Sequence, residues 1–275
     1  MDYEEMLSLI EKITPHGKDY VKEGLRNNKV DILYSLNNEE NKGVFVKVDN
    51  QDCCIFYAVF FNENHIEEIM KIIENKTREY LIKENSKEIC FNVYGENIKI
   101  IKLVKKLGFK RDMEGYHLQF VGKEIPELNR CNLKERGFED SELKKFIDLF
   151  DGAYYKLNLD NGWKVNSNSE NGKQFCEELK ELNKHNKIHS FWIDEDLIGT
   201  YIIEKNYISD IVVNPLFQNR GYGSYILKHC IRYMVLERHV ENIRLRVAKS
   251  NVGAKEFYER NNFVQIASFA EHTYI

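Results

Sequence analysis

A short turn with two glycines, placed between an apolar run and a helical one, constrains this chain more than any other feature. The turn is Gln218-Asn219-Arg220-Gly221-Tyr222-Gly223-Ser224, with the apolar residues 208–213 before it and residues 225–231 after it. A strand that turns into a helix points free backbone N–H groups and the positive end of the helix dipole at one place, which suits a phosphate. Glycines also mark ordinary tight turns, so the turn alone leaves both interpretations open.

A second pattern follows further along the chain. Residues 245–251 are predicted to form a strand, and a helix is predicted to begin near Asn251. Asn251 and Tyr258 are spaced by about two helical turns, so their side chains share one helix face with Ala254 between them. This strip can accommodate a slender ligand. The same residues would also serve as a helix cap and a half-buried aromatic, and the spacing alone does not decide between the two.

Together the two patterns resemble the GNAT superfamily of N-acetyltransferases, whose signature is a Q/R-x-x-G-x-G/A turn followed by a strand, an Asn and a helical Tyr. Val213-Asn214-Pro215 stands just before the turn, where such proteins carry V-x-P, and the resemblance covers roughly residues 128–275. Asn262 replaces the glycine that usually precedes the phenylalanine, here Phe263. Asn is the next-best residue for a left-handed backbone, so this departure hardly changes the match.

The resemblance implies transfer of an acetyl group from acetyl-CoA to a primary amine of a small molecule or peptide. The N–H groups of residues 219–224 would hold the pyrophosphate, and the main chain of residues 211–213 would pair with the pantetheine arm. An N–H near Val212 would support the thioester oxygen, Asn251 would fix the arm, and Tyr258 would protonate the departing thiolate. The cofactor-binding residues so implied are Ile211, Val212, Val213, Gln218, Asn219, Arg220, Gly221, Tyr222, Gly223, Ser224, Asn251, Ala254 and Tyr258.

The residues that receive the amine are less well specified. An alkyl amine with a pKa of ~10.4 is almost fully protonated at pH 7, so a base or a water path must remove its proton. Tyr207 and Ser209 occupy the strand positions where many relatives place Glu or His. Glu204 and Asp210 are substitutes, although Asp210 has the opposite strand parity, and we expect proton removal through ordered water.

Aromatic and acidic residues upstream form the predicted acceptor site. Side chains of these types suit a cationic amine, and they would equally well plug a domain interface. They lie around the end of a predicted helix and in the predicted loop 158–171, and they are Tyr154, Tyr155, Asp160 and Trp163.

The first half of the chain contains a copy of the second pattern. At an offset of 154 residues, the aligned pairs are Val93 with Val247, Asn97 with Asn251, Gly108 with Asn262, and Phe109 with Phe263. A recurrence of this length indicates two copies of one domain. Val104 replaces Tyr258, and the segment 64–69 has no glycine but two carboxylates, which would repel a pyrophosphate. We therefore expect residues 1–127 to form a degenerate GNAT-like domain that binds no acyl-CoA, and residues 128–275 to form the catalytic domain.

The order of predicted elements gives an α+β fold: two GNAT-like domains in tandem, each a mixed, mostly antiparallel sheet flanked by helices. In the first half, residues 42–48 and 53–61 are predicted to form a hairpin and 66–82 a helix. In the second half the predicted strands are 129–135, 188–193, 197–204, 207–213 and 242–248, and the predicted helices are 139–150, 171–182 and 223–238.

Composition narrows the partners. The length of 275 residues suits two domains, and the net charge of −4 gives no general affinity for nucleic acid or for anionic membranes. The apolar runs are too short to span a bilayer, and the start of the chain is acidic, so a cytoplasmic protein is expected. The six cysteines show no zinc spacing, and no metal is expected.

Alternative functions remain at this stage. A non-catalytic, acyl-CoA-binding regulatory module fits the missing strand carboxylate, and a homodimer stays open. Nucleotide binding at the glycine turn fits poorly, because the chain lacks the βαβ context and a ribose-binding acid at the usual distance.

Overall fold

The computed structural model describes residues 1–38, 41–61, 65–83, 87–128 and 130–274. They form two compact units, the first comprising Met1–His117 and Gln265–Ile275 and the second Leu118–Val264. This division differs from the predicted one at 127/128. The first boundary falls inside a strand rather than in the polar stretch after it, and the C-terminal residues join the first unit because they pair with one of its strands.

In the first unit, helices α1 and α2 precede a mixed sheet. The elements are α1 Tyr3–Glu11, α2 Pro15–Arg26, β1 Val30–Asn37, β2 Lys42–Asp49, β3 Cys53–Phe61, α3 Ile66–Lys83, β4 Glu88–Tyr94, α4 Ile98–Lys106 and β5 Phe109–Phe120. The C-terminal strand, Phe263–Tyr274, is numbered β11, and the strands lie in the order β1-β2-β3-β4-β11-β5. The β3–β4 pairing is parallel, whereas β1–β2, β2–β3 and β4–β11 are antiparallel.

Alternate residues of β2 face two different apolar clusters. Phe45 stacks with Phe56 and Phe91, with ring centroids 5.7 Å from each, in the cluster that includes residues of α3 and α4. Val44 and Val46 pack in a second cluster, which includes residues of α1. Because successive side chains of a strand point to opposite faces, this alternation buries both faces of the sheet.

In the second unit, a short strand, three helices and then three strands precede the glycine turn. The elements are β6 Lys134–Arg136, α5 Leu143–Asn161, α6 Ser167–Glu170, α7 Gly172–Lys184, β7 Ile188–Ile193, β8 Asp196–Glu204, β9 Tyr207–Val213, α8 Tyr222–Leu236, β10 Arg244–Ala248 and α9 Val252–Arg260. Two 3₁₀ turns span Asp140–Glu142 and Pro215–Phe217. The strand order is β10-β9-β8-β7-β6, with β9 and β10 parallel and the other pairs antiparallel.

The predicted fold class is confirmed, and most predicted elements agree with the structure. One helix differs: α5 continues to Asn161, where Gly162 ends it in the left-handed conformation with φ 69°. The predicted loop 158–171 is therefore wrong at its start and contains α6. Strand β6 is only three residues long, and Asn129, where that strand was predicted to begin, lies outside the described residues.

The internal repeat is present in the secondary structure. Helices α4 and α9 each have 9 residues and each follow the aligned asparagine, and strands β5 and β11 each have 12. The residues before the two strands, Gly108 and Asn262, both have positive φ, at 99° and 64°. Asn262 thus adopts the left-handed backbone that the substitution predicted. Over the described ranges of the chain, no helix has the length and apolar content needed to cross a bilayer.

Candidate active site

Strands β9 and β10 separate soon after they begin. They pair in parallel at Tyr207–Arg244 and Ile208–Leu245, and no further pair follows among the described residues, although β9 continues to Val213. Separated parallel strands leave backbone N–H and C=O groups without a ladder partner, and such groups must be satisfied by another ligand or by water. The gap between β9 and β10 is therefore a place where an extended ligand can add to the sheet.

Hydrogen bonding to β8 shows which groups of β9 face this gap. The N–H of Asn214 donates to the carbonyl of Ile198 at 2.9 Å, and the register places Val212 opposite Thr200. Because backbone groups alternate sides along an antiparallel pair, those of Val212 face β8 and those of Ile211 and Val213 face the gap. If an N–H of β9 supports the thioester oxygen, as predicted near Val212, the N–H groups that face the gap are those of Ile211 and Val213.

The N-terminus of α8 follows the end of β9 and has free donors. Within the described part of the chain, the backbone N–H groups of residues 219–224 donate no hydrogen bond. The next N–H group, that of Tyr225, donates to the Gly221 carbonyl at 3.1 Å. The first N–H groups of a helix have no intrahelical partner, and the helix dipole adds partial positive charge there. The predicted anion-binding turn thus has both the donors and the field that a phosphate needs.

The two glycines of the turn have different roles. Gly221 caps α8 in the left-handed conformation with φ 86°, which favours glycine, and a Cβ there would meet no atom within 4 Å. Asn219, with φ 61°, also lies in the left-handed region. A Cβ on Gly223 would lie 3.7 Å from Val213 Cγ2 and 3.8 Å from Phe257, so this residue brings the backbone of α8 close to β9 and α9.

Two long side chains of the turn stabilise the protein itself. Gln218 Nε2 donates to the Val213 carbonyl at 3.1 Å, which braces the turn against the end of β9. The Arg220 guanidinium lies over the Phe217 ring, 5.4 Å from its centroid. Contact of the cofactor with these two side chains stays a prediction.

Asn251 and Tyr258 lie at the start and near the end of α9. Asn251 Oδ1 accepts a hydrogen bond from the Ala254 N–H at 3.2 Å and so caps the helix. Tyr258 is partly buried, with its ring 5.7 Å from that of Phe263. Burial, and next the charge of Asp210, raise the pKa of the Tyr258 phenol, so the hydroxyl keeps its proton at neutral pH.

A carboxylate on β9 meets a tyrosine on α5. The Tyr154 hydroxyl donates to Asp210 Oδ1 at 2.7 Å, and Tyr154 packs with Phe150 and Val212 in the apolar cluster of this unit. Burial raises the pKa of the Asp210 carboxyl above its usual value, because the charged form loses hydration. Burial and the Asp210 charge also raise the pKa of the Tyr154 phenol.

The structure does not bring the other predicted acceptor residues into this group. Tyr155 is 48% exposed, and Asp160 pairs with Lys156 at 2.7 Å on the solvent face of α5. Trp163 is partly buried and lies just beyond the end of α5, where its backbone N–H donates to the Asn158 carbonyl. Their contact with an amine stays a prediction without support from a shared cavity.

The predicted strand residues are divided along β9. Glu204 pairs with Lys187 at 2.7 Å beside the β8–β9 turn, and Tyr207 is buried at the start of β9. From there to Val213 the strand extends about 20 Å at ~3.3 Å per residue, so both lie far from the glycine turn. Ser209 is exposed and lies where the register of β9 against β8 shifts, between Ile208, which pairs with Ile203, and Asp210, which pairs with Ile202.

Sequence reasoning named Asp210 but set it aside because of its parity. The informative signal was its place between Ile208 and Val212, which are both buried. A charged residue on the buried face of an apolar strand needs a partner, and that face is the one that α5 covers. The register of β9 against β8 shifts between Ile208 and Asp210, so alternation along the strand could not place the Asp210 side chain, and the face on which α5 packs is not readable from the sequence.

In the first unit, the strands that correspond to β9 and β10 are β3 and β4, and they stay paired over a longer stretch. Strands β3 and β4 stay paired over six positions, from Cys53–Glu88 to Ala58–Val93. Beyond them, the Asn97 side chain accepts from the Phe60 N–H at 3.0 Å and donates to the Phe60 carbonyl at 2.8 Å. The backbone groups that remain free in β9 are therefore bonded within the protein in β3.

Metal binding has no support in the side-chain geometry. Across the described ranges, no group of three or more His, Cys, Asp or Glu residues is arranged to hold a metal ion.

The separated strand pair and the glycine-capped helix lie within a segment that matches a known protein family. Residues 146–263 match the model of the acetyltransferase (GNAT) family. Residues 146–263 therefore form a domain of the acetyltransferase (GNAT) family.

Solved structures share the fold over most of the chain. A GCN5-related N-acetyltransferase from Sphaerobacter thermophilus superposes with a TM-score of 0.50 and 13% identity, covering 92% of this chain and 84% of that one. A functionally unknown conserved protein from Staphylococcus epidermidis has a TM-score of 0.50 and 15% identity, covering 90% of this chain and 96% of that one. The comparison with curated proteins gave no match.

Proposed function

We propose that the second unit transfers an acetyl group from acetyl-CoA to a primary amine of a small molecule or peptide. The observation that carries this proposal is the gap between β9 and β10, which ends at the free N–H groups of residues 219–224. One feature offers backbone partners to an extended arm, and the other offers donors to a diphosphate. Acetyl-CoA has these two parts in this order, and its thioester supplies the acetyl group.

The residues present fit acetyl-CoA. Ile211 and Val213 would offer their main-chain groups to the pantetheine amides, although the Val213 carbonyl is already bonded to Gln218. The N–H groups from Asn219 to Ser224 would hold the pyrophosphate. Ala254 and Asn251, at the start of α9, would border the arm.

Tyr258 is the proposed general acid. A thiol has an ordinary pKa of ~8.5, well below that of a phenol, so a departing thiolate is protonated favourably by a neighbouring tyrosine. Burial raises the pKa of Tyr258 further, which ensures that the proton is present when the thiolate forms. A hydroxyl that holds its proton until that step is suited to general acid catalysis.

The first unit, in this proposal, binds no acyl-CoA. Asn97 occupies both backbone groups of Phe60, and within the described residues β3 and β4 stay paired from Cys53–Glu88 to Ala58–Val93. Glu67 and Glu68 lie in the first turn of α3, where they neutralise the positive end of the helix rather than leave it for a phosphate.

Calorimetric titration together with free-thiol release tests the proposal. Acetyl-CoA should bind once per chain, and a panel of amines should include some that release free coenzyme A thiol. Two sites per chain would contradict the division between the units. Absence of binding would contradict the cofactor assignment itself.

A second candidate is an acyl-CoA-binding regulatory module without turnover. Tyr207 and Ser209 motivate it, because neither supplies a carboxylate at the positions where relatives place a base. The two candidates differ in one result: a module would bind acetyl-CoA once per chain and release no thiol with any amine.

A further inference from the structure

We propose that the first unit binds an acidic, amphipathic peptide segment of a partner protein in the groove between α3 and α4. This α3–α4 groove has a volume of about 510 Å³, and the residues that line it include Met70 and Arg78 of α3 and Lys102, Leu103 and Lys106 of α4. The proposed interaction goes beyond acetyl transfer and does not depend on it.

Helix α4 gives the groove a basic wall. Its nine residues include four lysines and no acidic residue. Lys99, Lys102 and Lys106 are spaced by three and four residues, so they form one line along the helix, and all three line the groove. Like charges at this spacing destabilise a helix, and the chain as a whole has a net charge of −4. The positive potential of this wall is therefore not explained by the stability of α4 or by the composition of the chain.

Two ammonium groups of the basic wall are open to a partner. Lys102 and Lys106 are exposed, and neither takes part in an ion pair within the described residues. On the opposite wall, Arg78 already pairs with Glu74 at 2.9 Å. Glu67, the other acid of the lining, lies about 16 Å from Arg78 along α3 at ~1.5 Å per residue. The end of the groove near Arg78 is thus the end that attracts carboxylates.

Met70 and Leu103 give the groove an apolar lining beside the charges. Leu103 is buried in the cluster that α3 and α4 share, and Met70 packs against that cluster while its side chain stays partly exposed. A methionine adapts its shape to the side chain that meets it. A free phosphate would make no apolar contact, whereas a groove between two helices commonly receives the apolar face of a peptide helix. The lining therefore favours a peptide that carries both leucine-like side chains and carboxylates.

The internal repeat shows that the basic wall is particular to the first unit. At the offset of 154 residues, Lys102 aligns with Glu256 and Lys105 with Glu259. In α9 both of these acids pair with cations of the same helix, which has no net charge, whereas α4 carries four positive charges. The sign of the charge is thus reversed in the unit that, in the proposed function, binds no acyl-CoA. Its positive potential serves a ligand other than the cofactor.

Fluorescence anisotropy of labelled synthetic peptides on the full chain tests the proposal. The probe is an acidic peptide with leucines at helical spacing and glutamates between them, and its analogue has lysine in place of each glutamate. Lys102→Glu and Lys106→Glu are compared with Lys71→Glu, which makes the same change in net charge at an exposed residue of α3 outside the groove. Met70→Ser tests the apolar contact. Chemical denaturation verifies that each variant is folded.

Wild type and Lys71→Glu should bind the acidic peptide equally well and should not bind the basic analogue. Lys102→Glu and Lys106→Glu should each weaken binding by about 5- to 30-fold, because an exposed ion pair is replaced by repulsion. Met70→Ser should weaken it as well, and added salt should weaken binding by wild type, since exposed charges are screened.

Three results would overturn the proposal. Wild type that does not bind the acidic peptide has no such site. Equal loss of affinity in the three lysine variants would show attraction by net charge and not by the groove. Inorganic tripolyphosphate is the competing ligand, and displacement of the peptide by less tripolyphosphate than unlabelled peptide would assign the groove to a phosphate-bearing ligand and reject the peptide.

Discussion

Asn97 and Asn251 occupy the same position in the two repeats but hydrogen-bond to different partners. Asn97 bonds both backbone groups of Phe60 on the neighbouring strand, whereas Asn251 bonds the Ala254 N–H of its own helix. In the first unit the amide completes a strand edge, and in the second it caps a helix and leaves the edge of β9 open. The same residue type therefore satisfies a strand edge in one unit and a helix N-terminus in the other.

The two asparagines should differ when they are replaced by alanine. Asn97→Ala leaves the Phe60 N–H and C=O without partners, and each buried unpaired group costs about 1–3 kcal/mol of unfolding free energy. Asn251→Ala loses a helix cap, which costs about 1 kcal/mol, and it should also weaken acetyl-CoA binding. Chemical denaturation and calorimetric titration check both. Weaker acetyl-CoA binding in Asn97→Ala would argue against the closed first unit.

Substitution of Gly221 should impair cofactor binding through the backbone alone. Gly221→Ala adds a Cβ that contacts no other atom, but a left-handed φ costs an L-residue about 1–2 kcal/mol. We expect the backbone of the turn to change conformation, so that its N–H groups no longer point at one place. The matched control is Gly253→Ala in α9, where a Cβ also meets nothing and the helix gains about 0.5–1 kcal/mol. Acetyl-CoA affinity should fall in the first variant and persist in the second. Equal affinities would show that the turn does not hold the diphosphate.

Loss of the Tyr258 hydroxyl should affect turnover rather than binding. Tyr258→Phe should lower kcat by ~10²–10⁴, the usual contribution of a general acid, with acetyl-CoA affinity nearly intact. Tyr3→Phe, at a residue that is 61% exposed in the first unit, is the control and should leave both quantities unchanged. Steady-state kinetics and titration separate the effects. A wild-type rate in Tyr258→Phe would remove this residue as the acid.

The free energy of unfolding should reveal the cost of the Asp210 charge. Its folded-state pKa is raised, so ionisation destabilises the folded state above that pKa, and the cost disappears as the pH falls below the ordinary carboxyl pKa of ~3.9. Asp210→Asn keeps an acceptor for Tyr154 and carries no charge. The variant should therefore be more stable than wild type at neutral pH, with a gain that shrinks in acid.

Denaturant titrations at a series of pH values measure this difference. Asp148→Asn, at an exposed residue, should show no such pH-dependent gain. A gain for Asp210→Asn that grows toward acid would contradict a raised pKa.

Local sequence patterns predicted the fold because most elements adopt the secondary structure that their own residues favour. The alternation in β2, the glycine turn before α8 and the asparagine before α9 all give the same answer at short range and in the folded chain. The repeat added the fold of the first half, since the aligned asparagines fix the starts of α4 and α9. The extent of α5 was not predictable in this way, because its end depends on Gly162 and not on the apolar pattern.

The acceptor region was the least predictable part. Which side of β9 meets α5 is a tertiary choice, and it decides whether Ser209 or Asp210 lies beside Tyr154. The exact length of the β9–β10 pairing is likewise a property of the packed sheet. The proposed cofactor contacts depend mainly on backbone within one supersecondary unit, so the sequence could name candidate residues, whereas the Tyr154–Asp210 contact joins a helix and a strand that are far apart in the sequence.

The C-terminal strand β11 has a consequence for how the protein is made. Phe269 and Ala270 are buried in the first unit, and the register pairs them with Tyr94 and Val93 of β4. During translation, residues 1–117 are synthesised before these partners. The edge of β4 that pairs with β11 therefore has no partner until the second unit has been synthesised. The half that is translated first is thus the half that finishes folding last.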